Sequence, residues 1–489
     1  MTNHCDFIIR RVTVLDGTGG KPFVSDVAIA GDRFAAVGEL DGMTAAIELY
    51  GGQLAVAPGF IDVHTHDDHA LLLDPDMSCK ITQGVTTVVA GNCGISLPPL
   101  VRLDPPPPLD LLGGNSGFRF AHFGEYVAAV ERSQPAVNAA LMIGHMTLRV
   151  AVMRDLGRAA SDGEIEAMRR HVHEALSCGA IGLSTGLFYP PSSAATADEV
   201  AAILEELRGT GAIYTTHMRD ESDGVERSLD ESFKTAHRAG VPVVISHHKC
   251  MGTRNFGRSI STLAKIEAAR QRQSVGLDAY PYTAGSTALL AKLIGESSRI
   301  VVSWSRPHPE LAGQDLAAIA AKWGISLPEA LSRLQPGGGI YFMMDEADVE
   351  RILAYTETMI GSDGLPHDQI PHPRLWGTFP RVLGHYCRVR RLFPIEEAVR
   401  RMTSLPAERF GLVDRGVVRA GAFADLVMFD PNEVTDMATI ENPTRPAKGI
   451  HTVFVNGIPV LHNGKPNGSR PGRIIRRSPI QAGDSSHAV

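Results

Sequence analysis

The chain is poor in the features that would place it outside the ordinary globular class. It has 6 cysteines in 489 residues (Cys5, Cys79, Cys93, Cys178, Cys250, Cys387), and no two stand at a paired spacing. That argues against a disulfide framework and for reduced thiols in a cytoplasmic setting. No apolar run is long enough to span a bilayer. The opening Met1-Thr2-Asn3-His4-Cys5-Asp6 lacks the basic region and apolar core of a signal peptide. There is no excess of positive charge: the net charge is −7 and the pI about 6.3. No nucleic-acid or anionic-membrane partner is therefore expected. What remains is a normal globular balance of 44% hydrophobic and 21% charged residues, with length for one large domain and a smaller module. Oligomeric state is left open.

Among what is present, the stretch Gly59-Phe60-Ile61-Asp62-Val63-His64-Thr65-His66 stands out. Side chains two apart on a strand share a side, so His64 and His66 aim two imidazoles at one point, an arrangement suited to a divalent metal. The surrounding pattern gives the pair a setting. Apolar strand-like runs fall at 54–66, 86–93, 139–145, 180–185, 212–218, 241–249, 275–282 and 358–363, with helix-like segments between them at 161–178, 196–210, 222–239 and 260–272. Asp162, Asp198 and Asp223 stand near three helix starts, as N-terminal signals do. Eight strands alternating with helices predict a TIM-like (β/α)8 barrel over 58–412. Short strand-and-turn units at both ends predict a small β-sandwich domain built from 1–57 and 413–489. About 75 residues (283–357) separate the last two strands, too many for a plain connection. They read as an insertion with its own helices that forms part of the substrate pocket. Pro105 to Pro108 sit in a second long loop, and the tail from Asn463 reads as polar and loosely ordered.

Chemistry on such barrels sits at the C-terminal ends of the strands. There the sequence places His64, His66, Cys93, His217, His247 and Asp363, six metal-capable residues on five strands. His69, His171, His173, His248, His367 and His372 are given no metal role. His171 and His173 belong on a helix surface, and His248 alternates away from His247 toward the outer layer.

These residues carry a resemblance. Pro58 to His66 resembles the amidohydrolase superfamily. The segments at 87–94, 182–189, 216–219, 246–249, 280–282, 361–364, 372–374 and 378–381 resemble the D-aminoacylases, or N-acyl-D-amino-acid deacylases, from Phe7 to about Gly464. Many superfamily members carry a carboxylated lysine on strand four; here that strand reads Ala180-Ile181-Gly182-Leu183-Ser184-Thr185-Gly186, without lysine. Cys93 resembles the ligand that replaces it. The resemblance implies one tightly held zinc at Cys93, His217 and His247, a second, weaker metal position at His64 and His66 near Asp363, and zinc-dependent hydrolysis of N-acyl-D-amino acids. Asp363 is then the general base and acid. Arg374 is the first choice for the substrate carboxylate, because a guanidinium grips it as a fork, with Tyr282 and Lys249 beside it. Phe188, Tyr341 and Met344 resemble an apolar side-chain pocket, whereas Lys249, Arg254 and Arg299 suit an acidic side chain; both options stand. His145 contacts substrate or is structural. The rival readings are a cyclic-amide hydrolase of the dihydroorotase or hydantoinase kind, against which the missing lysine counts, and a non-catalytic assembly protein, against which the full ligand set counts.

Overall fold

The computed structural model describes residues 4–113 and 117–477. The predicted domain ends at 1–3 and 478–489 lie outside the described residues. Eight parallel strands form the central sheet: Phe60–Asp62, Val85–Ala90, Asn138–Gly144, Gly182–Gly186, Ile213–His217, Val243–Ile245, Val275–Ala279 and Thr358–Ile360. A bridge between Thr65 and Gly364 joins the first to the last and closes the barrel. The strands alternate in what they bury. Ile61, Val89, Met142, Ile213, Val244 and Met359 share one apolar cluster, while the next residues Val88, Leu141, Tyr214, Val243 and Ile360 belong to another. The first set fills the barrel interior and the second meets the helices, as strand periodicity requires. The helices form near their expected places, at Asp162–Ser177, Ala197–Leu204, Val225–Ala239 and Ser259–Arg270. Ser161 and Thr196, rather than the aspartates beside them, cap the first two by accepting backbone N–H bonds.

The chain ends join in one nine-stranded sheet, in which His4–Val14 pairs with three other N-terminal strands and one of these, Ala55–Pro58, pairs with Leu426–Phe429. The run expected as one strand at 54–66 is therefore two. Ala55–Pro58 belongs to the small domain and Phe60–Asp62 to the barrel. Gly59 stands between them: its N–H donates to Asp425 O in the small domain (2.8 Å), while the Phe60 N–H donates to Gly84 O (3.0 Å). A Cβ at Gly59 would lie 2.2 Å from the Thr86 side chain, so only glycine fits.

Two further expectations are met in part. The insertion holds helices, at Leu316–Trp323 and Leu327–Arg333, but its core is a three-stranded antiparallel sheet of Ala284–Ala288, Arg299–Ser305 and Gly337–Phe342. The tail is ordered as far as it is described: Ile474–Ile475 pairs in parallel with Ala139 and Ala140 of the third barrel strand.

Candidate metal centre and substrate cavity

Three of the metal-capable residues sit just past a strand end in left-handed backbone: Cys93 (φ 54°), His247 (φ 37°) and Asp363 (φ 49°). For residues with a Cβ this conformation costs about 1–2 kcal/mol, and such strain concentrates at functional sites. The turns fold all three side chains over the barrel mouth. His64 Nε2 lies 3.2 Å from Cys93 Sγ and 3.5 Å from Asp363 Oδ1, and His66 Nε2 lies 3.2 Å from the same Oδ1. Cys93 Sγ is 3.3 Å from His247 Nε2. His217 packs against His247 with ring centroids 4.4 Å apart. The six residues predicted from sequence are thus brought together, and all are buried.

The electrostatics suit a cation. Burial opposes ionisation of Cys93, but His64 and His247 outweigh it and hold the thiol well below its usual range. Burial likewise opposes the charge on Asp363, and Arg374 and His64 overcome it. Burial pulls His66 down, yet Asp363 and Cys93 lift it to about 9. Single ligand atoms of His64, Cys93, His247 and Asp363 all lie within 4.8 Å of one another. His217 Nδ1 and His66 Nδ1 have no hydrogen-bond partner, while His217 Nε2 lies 3.3 Å from Glu221 Oε2. Imidazoles, a thiolate and a carboxylate around one point, with buried nitrogens left over, fit zinc.

Supports stand behind these side chains. Asp278 Oδ1 lies 3.3 Å from His64 Nδ1 and accepts the His247 N–H (2.9 Å). Lys80 is fully buried and donates to Asp62 Oδ2 (2.8 Å) and Ser362 Oγ (3.1 Å), with Asp67 Oδ2 at 3.1 Å. Burial pulls Lys80 down, but Asp62 and Asp67 outweigh it and hold it above the usual lysine range. Asp62 Oδ1 in turn accepts the Ser362 N–H (2.7 Å), so Lys80 ties the first strand to the last beside Asp363.

A cavity opens above the centre. His66, Cys93, His217, His247 and Asp363 form one wall, and Lys249, Tyr280 and Arg374 provide polar groups. Phe188, Leu293, Met343, Leu111 and Leu365 are apolar. Arg374 is fully buried; its Nη1 lies 2.8 Å from Asp363 Oδ2, its Nη2 donates to Ser286 O (3.1 Å), and its guanidinium lies over the Tyr280 ring.

Several residues predicted for the site lie outside this cavity. Tyr282 does not face this cavity, because its N–H donates back to Tyr280 O (3.0 Å) and the three-residue turn breaks the strand period. Tyr282 and Met344 line a smaller neighbouring cavity instead, and Tyr280 and Met343 take the places foreseen for them. Tyr341 staples the insertion: its hydroxyl donates to Ala288 O (2.9 Å) and accepts the Leu290 N–H (3.0 Å). His145 starts the helix His145–Val152 and turns to Glu199 (3.2 Å), which also pairs with Arg149. Arg254 pairs with Glu296 (2.9 Å) and Arg299 with Asp315 (3.0 Å), both away from the cavity. His248 bonds Thr262 of an outer helix (2.9 Å), as its parity requires.

The sequence reading missed Glu221. It follows His217 by four residues, is buried, and sits between His217, His247 and Lys249. With the two histidines it has metal-like spacing, but Lys249 Nζ lies 2.8 Å from both its oxygens, so a protein cation takes that place.

A family model described as amidohydrolase matches residues 52–323 and 329–461. The chain is 54% identical over 473 residues to the D-aminoacylase of Alcaligenes xylosoxydans xylosoxydans, covering 97% of this chain and 98% of that protein. A solved D-aminoacylase with a binuclear metal center, described with one-metal activation and second-metal attenuation, superposes with a TM-score of 0.95 at 54% identity, over 97% of this chain and 100% of that one. An N-acyl-D-glutamate deacylase from Bordetella bronchiseptica, complexed with zinc and a phosphonate mimic of the tetrahedral intermediate, superposes with a TM-score of 0.92 at 44% identity, over 97% and 100% of the two chains.

Proposed function

The chain belongs to the amidohydrolase family and is a hydrolase of N-acyl amide bonds; from that premise we propose that it is a zinc-dependent deacylase of N-acyl-D-amino acids with uncharged, apolar side chains. The observation that carries this reading is a single cavity in which a Cys/His/Asp donor set faces a cluster of carboxylate-binding groups. Cys93, His217 and His247 would hold the firm zinc, with His64, His66 and Asp363 offering a second, weaker position. When bound, zinc lowers the pKa of water to about 7 and polarises a carbonyl.

The residues of the chain do the rest. Arg374, Lys249 and Tyr280 hold the substrate α-carboxylate and so set the scissile amide over the donor set. Asp363 presents Oδ1 to the histidines while Arg374 steadies Oδ2. Asp363 takes a proton from water as the oxygen adds to the acyl carbon. It returns that proton to the nitrogen as the C–N bond breaks, leaving a carboxylate and a free D-amino acid. Phe188, Leu293 and Met343 supply an apolar surface for the side chain, and Arg254 and Arg299 are engaged elsewhere. That favours the apolar over the acidic option. A cyclic-amide reading finds less support: strand four offers Ser184 and Thr185, both hydrogen-bonded, and no lysine. Among the described residues no helix is long and apolar enough to cross a membrane. The six free cysteines support a reducing, cytoplasmic compartment.

The test is a panel of N-acetyl-D- and N-acetyl-L-amino acids with metal analysis of the same preparation. The expected result is about one firmly held zinc per chain and turnover of N-acetyl-D-leucine or -methionine well above their L forms. A metal-free active enzyme, preference for the L series, or faster opening of a hydantoin ring would overturn the reading. Preference for N-acetyl-D-glutamate would overturn only the side-chain assignment.

A further inference from the structure

Glu221 makes three contacts that no other carboxylate of the site makes. Oε1 lies 3.1 Å from His247 Nδ1, Oε2 lies 3.3 Å from His217 Nε2, and both lie 2.8 Å from Lys249 Nζ. The ammonium is also 2.7 Å from His247 Nδ1. The carboxylate is 1% exposed, and its backbone carbonyl accepts the Met251 N–H at 2.7 Å, so neither end is free to wander. His247 presents Nε2 to Cys93 Sγ at 3.3 Å, and Nδ1 to both Glu221 Oε1 and the Lys249 ammonium.

We propose that Glu221 is a positioning residue with two simultaneous tasks, orienting His217 and His247 for zinc and holding Lys249 for the substrate carboxylate. The inference rests on the reading of the site as a zinc deacylase. A histidine whose far nitrogen meets a carboxylate is fixed in tautomer and ring orientation and is a stronger ligand; loss of such a partner lowers metal affinity by about 10–100-fold. Lysine is a flexible side chain with a compact charge, and it needs a fixed partner to present that charge at one point. Here the two needs meet in one side chain. The metal position and the substrate anchor are therefore coupled through Glu221.

The experiment uses the zinc-loaded full-length enzyme. Zinc is competed against a chromophoric chelator for the wild type, Glu221→Gln and Lys249→Met, and KM is measured for N-acetyl-D-leucine in these and the double variant. Glu221→Gln keeps the shape and removes the charge. The expected result is a roughly 10–100-fold weaker hold on zinc in Glu221→Gln, a near-normal hold in Lys249→Met, and no further rise in KM when Glu221→Gln is added to Lys249→Met. If Glu221→Gln does not fold, Glu221→Asp decides, since it keeps the charge but withdraws it by one methylene; it is expected to weaken zinc as well. Zinc held by either folded variant within twofold of the wild type overturns the first task, and strictly additive KM effects overturn the second. A wild type that holds no zinc instead sinks the deacylase reading itself.

Discussion

Lys80 allows a prediction that does not depend on catalysis. Its ammonium is fully buried against two carboxylates, Asp62 and Asp67, that are themselves fully buried. Lys80→Met keeps much of the volume but leaves two negative charges without their cation. Removing one partner of a buried ion pair costs about 3–5 kcal/mol. At about 2.1 cal/mol/K per residue, unfolding this chain carries an entropy of about 1 kcal/mol/K. The melting temperature should therefore fall by about 3–5 °C in differential scanning calorimetry. Lys80→Met combined with Asp62→Asn and Asp67→Asn removes the charges together and should recover most of that loss. The Ser362 N–H, which donates to Asp62 Oδ1, needs only an acceptor there and not an anion, so a side-chain amide oxygen can serve. A single variant that melts within about 1 °C of the wild type, or a triple variant that melts lower than the single one, would refute the reasoning.

Asp363→Asn should retain zinc by metal analysis while turnover falls by about 10²–10⁴-fold, the usual share of a general acid–base group; near-normal kcat would remove Asp363 from that role. Arg374→Met should raise KM for N-acyl-D-amino acids far more than for the corresponding α-amides, which lack the carboxylate; equal effects on both would discard the anchor. Burial pushes the Glu199 carboxyl up, but His145 and Arg149 outweigh it and hold it at about 2, below the ordinary 4.5. A depressed carboxyl contributes stability above its unfolded pKa and loses it as pH falls toward the folded value, so stability should decline between pH 4.5 and about 2. Glu199→Gln should flatten that limb in urea titrations at several pH values, and an unchanged slope would count against it.

The barrel was legible because its eight strands are short apolar runs with helical patterns between them, and the metal-capable residues stand where those runs end. The signals that failed share a cause: each depends on a turn. The strand-like run was drawn through Tyr282, but the strand ends at Ala279 and the turn at Pro281 breaks its period. The same assumption extended the strands through Cys93, His247 and Asp363, which sit in left-handed backbone beyond the last paired residue. Glu221 was missed because it follows the fifth strand in a loop, where alternation has nothing to say; its spacing of four from His217 was the available clue. Asp278 had a stronger one, as the lone acid in the buried strand Val275–Ala279. The insertion hid its sheet because Gly337, Gly338 and Gly339 read as loop, whereas there Gly338 and Gly339 pair with both neighbouring strands and Gly337 with one.

The division at Gly59 bears on how far this enzyme is modular. Five residues past a glycine that accepts no side chain, the chain reaches His64, and on the other side it is already hydrogen-bonded into the small domain. Asp425 reinforces the seam by receiving the Gly59 N–H on its carbonyl and Asn138, Arg415 and the Asn456 N–H on its carboxylate. The small domain is thus a footing rather than an appendage. A barrel excised at residue 59 would lose the tether that sets the height of its first histidine, so grafting new loops at the mouth is a sounder route to altered specificity than trimming the protein to its barrel.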